Sequence, residues 1–271
     1  MAIKYKIDSP ALYIEAFSPP WDNEALNQKV IHIDKLTERN PNKSILELKN
    51  FIAALTADKT ALITCKLPYT AFAESSLLQT LNFKFIEMSL HPFKDKLLHR
   101  KTVDSSSIKI KKANNSEINE LSKIAETAFS HERFHADSRI PDELGHRRYK
   151  NWVLNCKSHP TQEILQLCYK EVPVGFFIVE EKNINNRKIA YWHLTAISSQ
   201  FHGQGLGTKC WNAMLNYHQS NLVNEISTRI SIRNTRVLNL YSKLNFRFRK
   251  PEMSFHWVNS EVFPYNDNLI K

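Results

Sequence analysis

Three glycines at alternate positions are the clearest chemical feature of this sequence. Gly203, Gly205 and Gly207 lie between an apolar, strand-like run and a helix-like run, in a chain with only five glycines and none among residues 1–144. Alternate glycines allow successive backbone N–H groups to converge on one point, and a helix N-terminus adds about half a positive charge there. The spacing alone is compatible with a pyrophosphate-binding loop and with a tight strand–helix connection that binds nothing.

A second motif follows the glycine loop after one more strand-like run. It reads Asn234-Thr-Arg-Val-Leu-Asn-Leu-Tyr-Ser-Lys-Leu-Asn-Phe246. With His202-Gly-Gln-Gly-Leu-Gly207, it resembles the paired motifs of the GNAT acyltransferase superfamily, Arg/Gln-x-x-Gly-x-Gly/Ala and Asn-x-x-Ala-x-x-Leu-Tyr-x-x-x-Gly-Phe. The resemblance covers residues 108–257. His202, Val237 and Asn245 stand where the family usually has Arg or Gln, Ala and Gly.

The resemblance implies acyl-CoA as co-substrate and no metal. The backbone of the strand before the loop would pair with the pantetheine arm, and the loop amides would hold the pyrophosphate. Asn234 would also contact pantetheine. The implied contacts are Ala196, Ile197, His202, Gly203, Gln204, Gly205, Leu206, Gly207, Thr208 and Asn234.

Transfer of an acyl group to an amine requires a neutral amine, and the leaving thiolate requires a proton. The resemblance places Tyr241 near the sulfur, where a positioned phenol can act as the general acid. The alternative role of Tyr241 is an aromatic filler between helix and strand. His193 lies on the strand of Ala196 and is the candidate base. Its alternatives are a hydrogen-bonded core histidine and deprotonation of the amine through water.

The acceptor is indicated by the segment Arg133-Phe-His-Ala-Asp137 and the aromatic residues after it. This segment resembles the Arg-Phe-His-x-Asp sequence of two-domain GNAT enzymes that acylate dTDP-linked amino sugars, the TDP-fucosamine acetyltransferase type. The implied substrate contacts are Arg133, His135, Asp137, Tyr149 and Trp152. The alternative is a solvated charged loop beside core aromatics. The acyl group is acetyl or a short hydroxyacyl such as 3-hydroxybutanoyl, and the amine is on C3 or C4.

These residues need a framework, and apolar periodicity predicts one in which strands and helices alternate. The fold class expected is α/β (α+β), and the resemblance implies a GNAT fold with a mixed, mostly antiparallel sheet flanked by helices. The first ~25 residues are expected to form one short strand and irregular chain. Leu81-Asn-Phe-Lys-Phe and Leu244-Asn-Phe-Arg-Phe each follow a helical pattern. We therefore expect a truncated GNAT-like domain at 1–100, a linker over 94–107 and the acyltransferase domain at 105–271; chance similarity is the alternative.

Composition limits the remaining possibilities. The charge of +10 from 37 Lys and Arg against 27 Asp and Glu suggests an anionic partner. Four scattered cysteines, no leader and no long apolar run predict a cytoplasmic protein without membrane association, as a monomer or homodimer. The expected function is N-acylation of a nucleotide-linked amino sugar for surface polysaccharide synthesis, without nucleic acid as a partner. The alternatives are acetylation of a protein N-terminus, lysine or small amine, and a degenerate GNAT fold that binds nucleic acid.

Overall fold

The computed structural model describes residues 4–263. Its strands, numbered in chain order, are Lys4–Asp8 (β1), Leu12–Phe17 (β2), Lys29–Glu38 (β3), Thr60–Pro68 (β4), Lys84–Lys94 (β5), Ile108–Lys112 (β6), Gln162–Tyr169 (β7), Val172–Ile184 (β8), Arg187–Ile197 (β9), Glu225–Thr228 (β10), Ile230–Ser231 (β11) and Arg247–Val258 (β12). The helices are Pro20–Leu26 (α1), Pro41–Ala57 (α2), Phe72–Thr80 (α3), Asn115–Ala128 (α4), Arg133–Ala136 (α5), Asp142–Asn155 (α6), Leu206–Ser220 (α7) and Thr235–Lys243 (α8).

All strands join one mixed sheet in the order β1-β2-β3-β4-β12-β5-β10-β9-β8-β7-β6, and β11 pairs with β5. Among the strand pairs formed by residues 4–263, only β3–β4 and β9–β10 are parallel, which confirms the predicted mixed, mostly antiparallel sheet. Helices α2, α3, α7 and α8 cover one face over two hydrophobic cores. Helices α1, α4, α5 and α6 cover the other face.

The N-terminal expectation of one strand and irregular chain is wrong. Residues 4–26 contain β1, β2 and α1, and β3 follows at Lys29–Glu38. Helix α1 has Pro20 in its first turn, where the missing N–H is not needed. A proline pair that suggests a loop in the sequence therefore marks a helix start.

The predicted similarity between the two halves appears as a repeated helix–turn–strand unit. Asn82 and Asn245 both have left-handed backbone, with φ of 66° and 56°. Phe83 and Phe246, the next residues, are both buried. Each unit leads directly into a long strand, β5 in the first half and β12 in the second.

These two strands exchange places between the halves. Strand β12 lies between β4 and β5, and β5 lies between β12 and β10. Where β5 and β12 pair, Met88 is directly opposite Met253, and Glu252–Ser89 mirrors Ser254–Glu87. The pairing of equivalent residues indicates a local pseudo-twofold axis. Each half therefore supplies a strand that completes the sheet of the other.

The segment predicted as a linker is held against α7. Leu97 is fully buried, and its N–H donates to Asn224 O. Arg100 donates to the side chains of Asn212 and Asn216, and Lys94 donates to Leu244 O at 2.9 Å. Two basic side chains of this segment, Lys94 and Arg100, are thus engaged within the protein.

Candidate active site

The sheet opens where two parallel strands diverge. Strand β9 pairs with β10 only from Ile189 to Trp192, and the last pair is Trp192–Thr228. The Thr228 hydroxyl donates to Trp192 O at 2.8 Å at this branch point. Beyond it, β9 continues to Ile197 while β10 ends. Residues 193–197 therefore present a backbone edge that β10 does not cover.

The other edge of this segment stays bound to β8. Ala196 pairs with Phe176, and Ile197 pairs with Gly175. A Cβ on Gly175 would lie 2.3 Å from Ala196 O, so only glycine permits this close approach. The structure thus places Ala196 and Ile197 along the opening, where the pantetheine arm is expected to bind.

The glycine loop begins just past this strand end. Gly203 and Gly205 have φ of 78° and 72°, and a Cβ on either would meet nothing within 4 Å. Their glycine identity therefore serves the backbone conformation and leaves the space above the loop empty. Helix α7 starts at Leu206 without a side-chain cap, so its first-turn amides stay available to an anion. This arrangement fits the pyrophosphate of CoA.

Two predicted contacts of the loop are used inside it. His202 Nε2 donates to Ile197 O at 3.0 Å, which ties the loop to the end of β9. Gln204 Nε2 donates to Gln200 O at 3.0 Å. The side chain of His202 therefore braces the loop in this structure, instead of taking the phosphate contact expected at its position.

Tyr241 lies on α8 beside the branch point. Its side chain is 1% exposed and packs on Phe246 with ring centroids 4.8 Å apart. Burial raises the pKa of the phenol above its ordinary value, and the neighbouring Thr195, Thr228 and Trp211 side chains oppose the rise. The phenol therefore remains protonated at neutral pH. Asn234, at the start of α8, accepts a hydrogen bond from Val237 N at 3.2 Å.

His193 is the extra residue of a bulge in β9. Across from it the pairing passes from Ile178–Leu194 to Val179–Trp192, which leaves His193 unpaired. Its Nε2 lies 2.9 Å from the Glu180 carboxylate. Burial lowers the pKa of the imidazole, and Glu180 opposes this shift.

Glu180 is a site residue that the sequence reasoning missed. Burial raises its pKa, but hydrogen bonds from Thr161, His193 and Lys182 outweigh this and hold it at about 2. A carboxylate that stays ionised fixes the Nε2–H tautomer of His193 and leaves Nδ1 as the proton acceptor. The available signal was an acidic residue directly after the apolar run 174–179.

The Arg133–Asp137 segment forms α5 and covers the sheet. Asp137 is 4% exposed; Arg139 binds it through two nitrogens at 2.8 Å, and His256 Nδ1 lies 3.0 Å away. Arg133 forms an ion pair with Asp22 at 3.4 Å. In this structure both charges are therefore engaged within the protein.

The aromatic residues of the predicted acceptor site divide into two groups. His135 stacks on Tyr149 with centroids 6.1 Å apart, and both its ring nitrogens are buried without a partner. Trp152 instead lines a cavity of about 530 Å³ between α1 and α6. Its Nε1 donates to Gln162 at 3.3 Å. The structure thus brings His135 and Tyr149 together and places Trp152 at a separate opening.

The sequence profile described as "Acetyltransferase (GNAT) family" matches residues 118–246, which include the glycine loop, Tyr241 and His193. Residues 118–246 are a GNAT domain. Proteins of this family are acyl-CoA-dependent N-acyltransferases in general. No sequence among curated proteins matches the chain.

Solved structures show that the GNAT-type fold extends over both halves. The alignment with a conserved protein of unknown function from Staphylococcus epidermidis covers 94% of each chain, with a TM-score of 0.64 and 12% identity. A tandem GNAT protein from the clavulanic acid biosynthesis pathway covers 95% of this chain and 83% of its own, with a TM-score of 0.63 and 10% identity. A GCN5-related N-acetyltransferase from Kribbella flavida has a TM-score of 0.58 and 11% identity, over 93% and 89% of the chains. At these identities the likeness concerns the fold.

The first half lacks the CoA features of the GNAT domain. Asn40 caps α2 by accepting a hydrogen bond from Asn42 N, and Pro41 has no N–H to offer. In the aligned helix–turn–strand units, Leu78 stands where the GNAT domain has Tyr241. An acyl-CoA bound in the same way in the first half would find neither free amides nor an acid.

Within residues 4–263, no helix is long and apolar enough to cross a membrane. The same residues contain no group of three or more His, Cys, Asp or Glu side chains placed to hold a metal ion.

Proposed function

We propose that this protein transfers an acyl group from acyl-CoA to a primary amine. The observation that carries the proposal is the strand divergence, which has His193 and Glu180 on one face of the sheet and Tyr241 on the other. A thioester lying in the opening would have His193, the proton acceptor, on the side from which the amine arrives. Tyr241, the proton donor, would lie on the opposite side. The glycine loop beyond Ile197 would hold the CoA pyrophosphate.

The reaction has two proton transfers. The amine nitrogen attacks the thioester carbonyl carbon, and His193 Nδ1 takes one amine proton as the N–C bond forms. The C–S bond then breaks, and Tyr241 donates its phenolic proton to the thiolate. Solvent returns the proton to Tyr241 and removes the one on His193. The low pKa of Glu180 keeps a negative charge 2.9 Å from the imidazolium, which stabilises it.

For the acceptor, we propose the amino group of a dTDP-linked 3- or 4-amino-dideoxyhexose. The reaction would take place in the cytoplasm and supply a sugar for surface polysaccharide. The α1–α6 cavity supports this assignment, because its lining combines the indole rings of Trp21 and Trp152 with the amides of Asn151 and Gln162. Aromatic faces stack on a base, while amides read its donors and acceptors. The +10 charge also favours an acceptor with a diphosphate. The acyl group is acetyl or a short hydroxyacyl such as 3-hydroxybutanoyl.

The experiment measures free-thiol release from acetyl-CoA and 3-hydroxybutanoyl-CoA with dTDP-3-amino- and dTDP-4-amino-dideoxyhexoses. Lysine peptides and spermidine serve as the other amine classes. Release that requires one amino sugar supports the proposal and identifies the acyl group. Release only with peptides or spermidine moves the acceptor to that class. No release with any amine, together with no CoA-dependent rise in Tm, overturns the proposed function.

A further inference from the structure

The central strands carry a row of polar side chains on the face beneath α5. On β4, Lys66 is directly opposite Ser254 of β12, and Ser254 is opposite Glu87 of β5. Ser89, two residues after Glu87, lies opposite Glu252. We call Lys66, Glu87, Ser89 and Ser254 the seam row. The exchanged strands create it, so both halves contribute to it.

The seam row contrasts with the opposite face of the same strands. There Leu67, Met88, Met253 and Phe255 form part of a hydrophobic core. Alternation along a strand gives each face its own composition. The polar face is therefore a separate feature, and packing of the core does not require it.

Three buried oxygens of the seam row have no hydrogen-bond partner among residues 4–263: Glu87 Oε2, Ser89 Oγ and Ser254 Oγ. Their residues are 6%, 2% and 1% exposed. An unsatisfied buried polar group costs about 1–3 kcal/mol. Two carboxylates on the elements above the row, Asp22 and Asp137, each pair with arginine. The unsatisfied oxygens thus indicate a place prepared for a polar ligand.

The seam row lies on the acceptor side of the active site, and Lys66 is its partly exposed member. Lys66 keeps partial exposure although it lies in the middle of the sheet, and so do Glu132 and Arg133 above it. His193 projects from the same face, and only β10 separates its strand from β5. A ligand that reaches the strand divergence from this side therefore passes the row.

The chemistry of the row selects the ligand. Glu87 accepts hydrogen bonds, Lys66 donates them, and the two serines do both. An alkylammonium chain would satisfy Glu87 but would be repelled by the Arg133 guanidinium. Hydroxyl groups donate and accept, so adjacent hydroxyls on a ring match every member of the row.

We infer that the seam row binds a hydroxyl-bearing, carbohydrate-like part of the acceptor, with Glu87 of the first half as its main contact. This inference rests on the proposed function, because it names the part of the amine substrate that the seam row recognises. Burial raises the pKa of Glu87, although the Ser231 hydroxyl and Arg133 oppose the rise, and burial lowers the pKa of Lys66 well below its ordinary value. The first half therefore takes part in substrate recognition.

The test compares Glu87→Gln and Ser254→Ala with the control Glu120→Gln, an exposed carboxylate on α4. With the amino-sugar nucleotide that wild type uses, Glu87→Gln raises the acceptor KM at least about tenfold. Ser254→Ala raises it about threefold or more. The acyl-CoA KM, the CoA-induced Tm rise and any turnover of spermidine remain at wild-type values. Glu120→Gln matches wild type throughout.

A binding measurement separates this inference from the transfer reaction. The Tm rise caused by each dTDP-amino sugar without CoA is recorded for wild type and Glu87→Gln. A wild-type rise that Glu87→Gln removes supports the inference even if no acyl group is transferred. An unchanged acceptor KM in Glu87→Gln, or the absence of any wild-type rise with the amino sugars, overturns it. In the second case, a preserved CoA-induced rise leaves the acyl-CoA part of the proposed function in place.

Discussion

Replacing Tyr241 with Phe isolates the phenolic proton from the packing of the ring. The ring contacts with Phe246 and Trp211, at centroid distances of 4.8 and 6.3 Å, are retained in the variant. Only the hydroxyl between Thr195, Thr228 and Trp211 is lost. One hydrogen-bonding group contributes about 1 kcal/mol, so we expect the Tm to fall by only about 2–4 °C.

The expected loss of activity is much larger than the loss of stability. General acid catalysis contributes about 10²–10⁴-fold, which corresponds to about 2.7–5.4 kcal/mol in the barrier. The kcat of Tyr241→Phe should fall by this factor. The Kd for CoA should stay constant, because the pyrophosphate site lies in the glycine loop. Burial raises the pKa of the phenol, so the deficit should persist across pH 6–9.

Single-turnover release of CoA thiol measures the chemical step directly, with Tyr217→Phe as the matched control. Tyr217 is a partly buried tyrosine on α7, beyond the strand divergence. Its variant should retain wild-type kcat. A Tyr241→Phe rate within about threefold of wild type, with CoA bound normally, would refute the acid role.

Four further outcomes are expected. Gly205→Ala forces alanine into left-handed backbone, so the free energy of unfolding should fall by about 1–2 kcal/mol and the CoA-induced Tm rise should disappear. Gly207→Ala should leave stability equal or higher but weaken CoA binding measured by calorimetry. Since burial lowers the pKa of His193, its protonation should lower kcat only on the acid side of pH 7, and His193→Gln should remove this fall from the pH profile of kcat. Asp137→Asn should cost about 3–5 kcal/mol in urea unfolding; its depressed pKa makes its contribution complete above pH 4 and lost as acid protonates it. Residues 105–271 alone should fail to give a soluble, cooperatively melting protein, because β12 loses both its neighbours.

The sequence predicted those elements whose signals are local. Helix α7 follows a glycine turn, and α4 begins at a capping box between Asn114 and Glu117. Asn245 keeps the left-handed turn that the family usually assigns to glycine. Each of these features is encoded within a few residues, so periodicity and turn chemistry were sufficient.

Features made by distant pairing have no local signal in the sequence. Glu87 and Ser254 become neighbours only because β5 and β12 exchange places. The bulge that frees His193 depends on the register of β8 against β9. The Arg133–Asp137 segment was predicted from its residue types, but its pairing with Asp22, Arg139 and His256 follows from helix packing that no spacing reveals.

The strand exchange also has a consequence for synthesis of the chain. When β5 leaves the ribosome, its neighbour β12 has not yet been made, and at 5–20 residues per second it follows after on the order of ten seconds or more. During that time β4 and β5 carry unpaired edges around an empty position in the sheet. Such edges pair readily with other chains, and β12 of one molecule fits the vacant position in another. Slow or interrupted translation after Lys94 should therefore produce strand-swapped dimers or chaperone-bound chains.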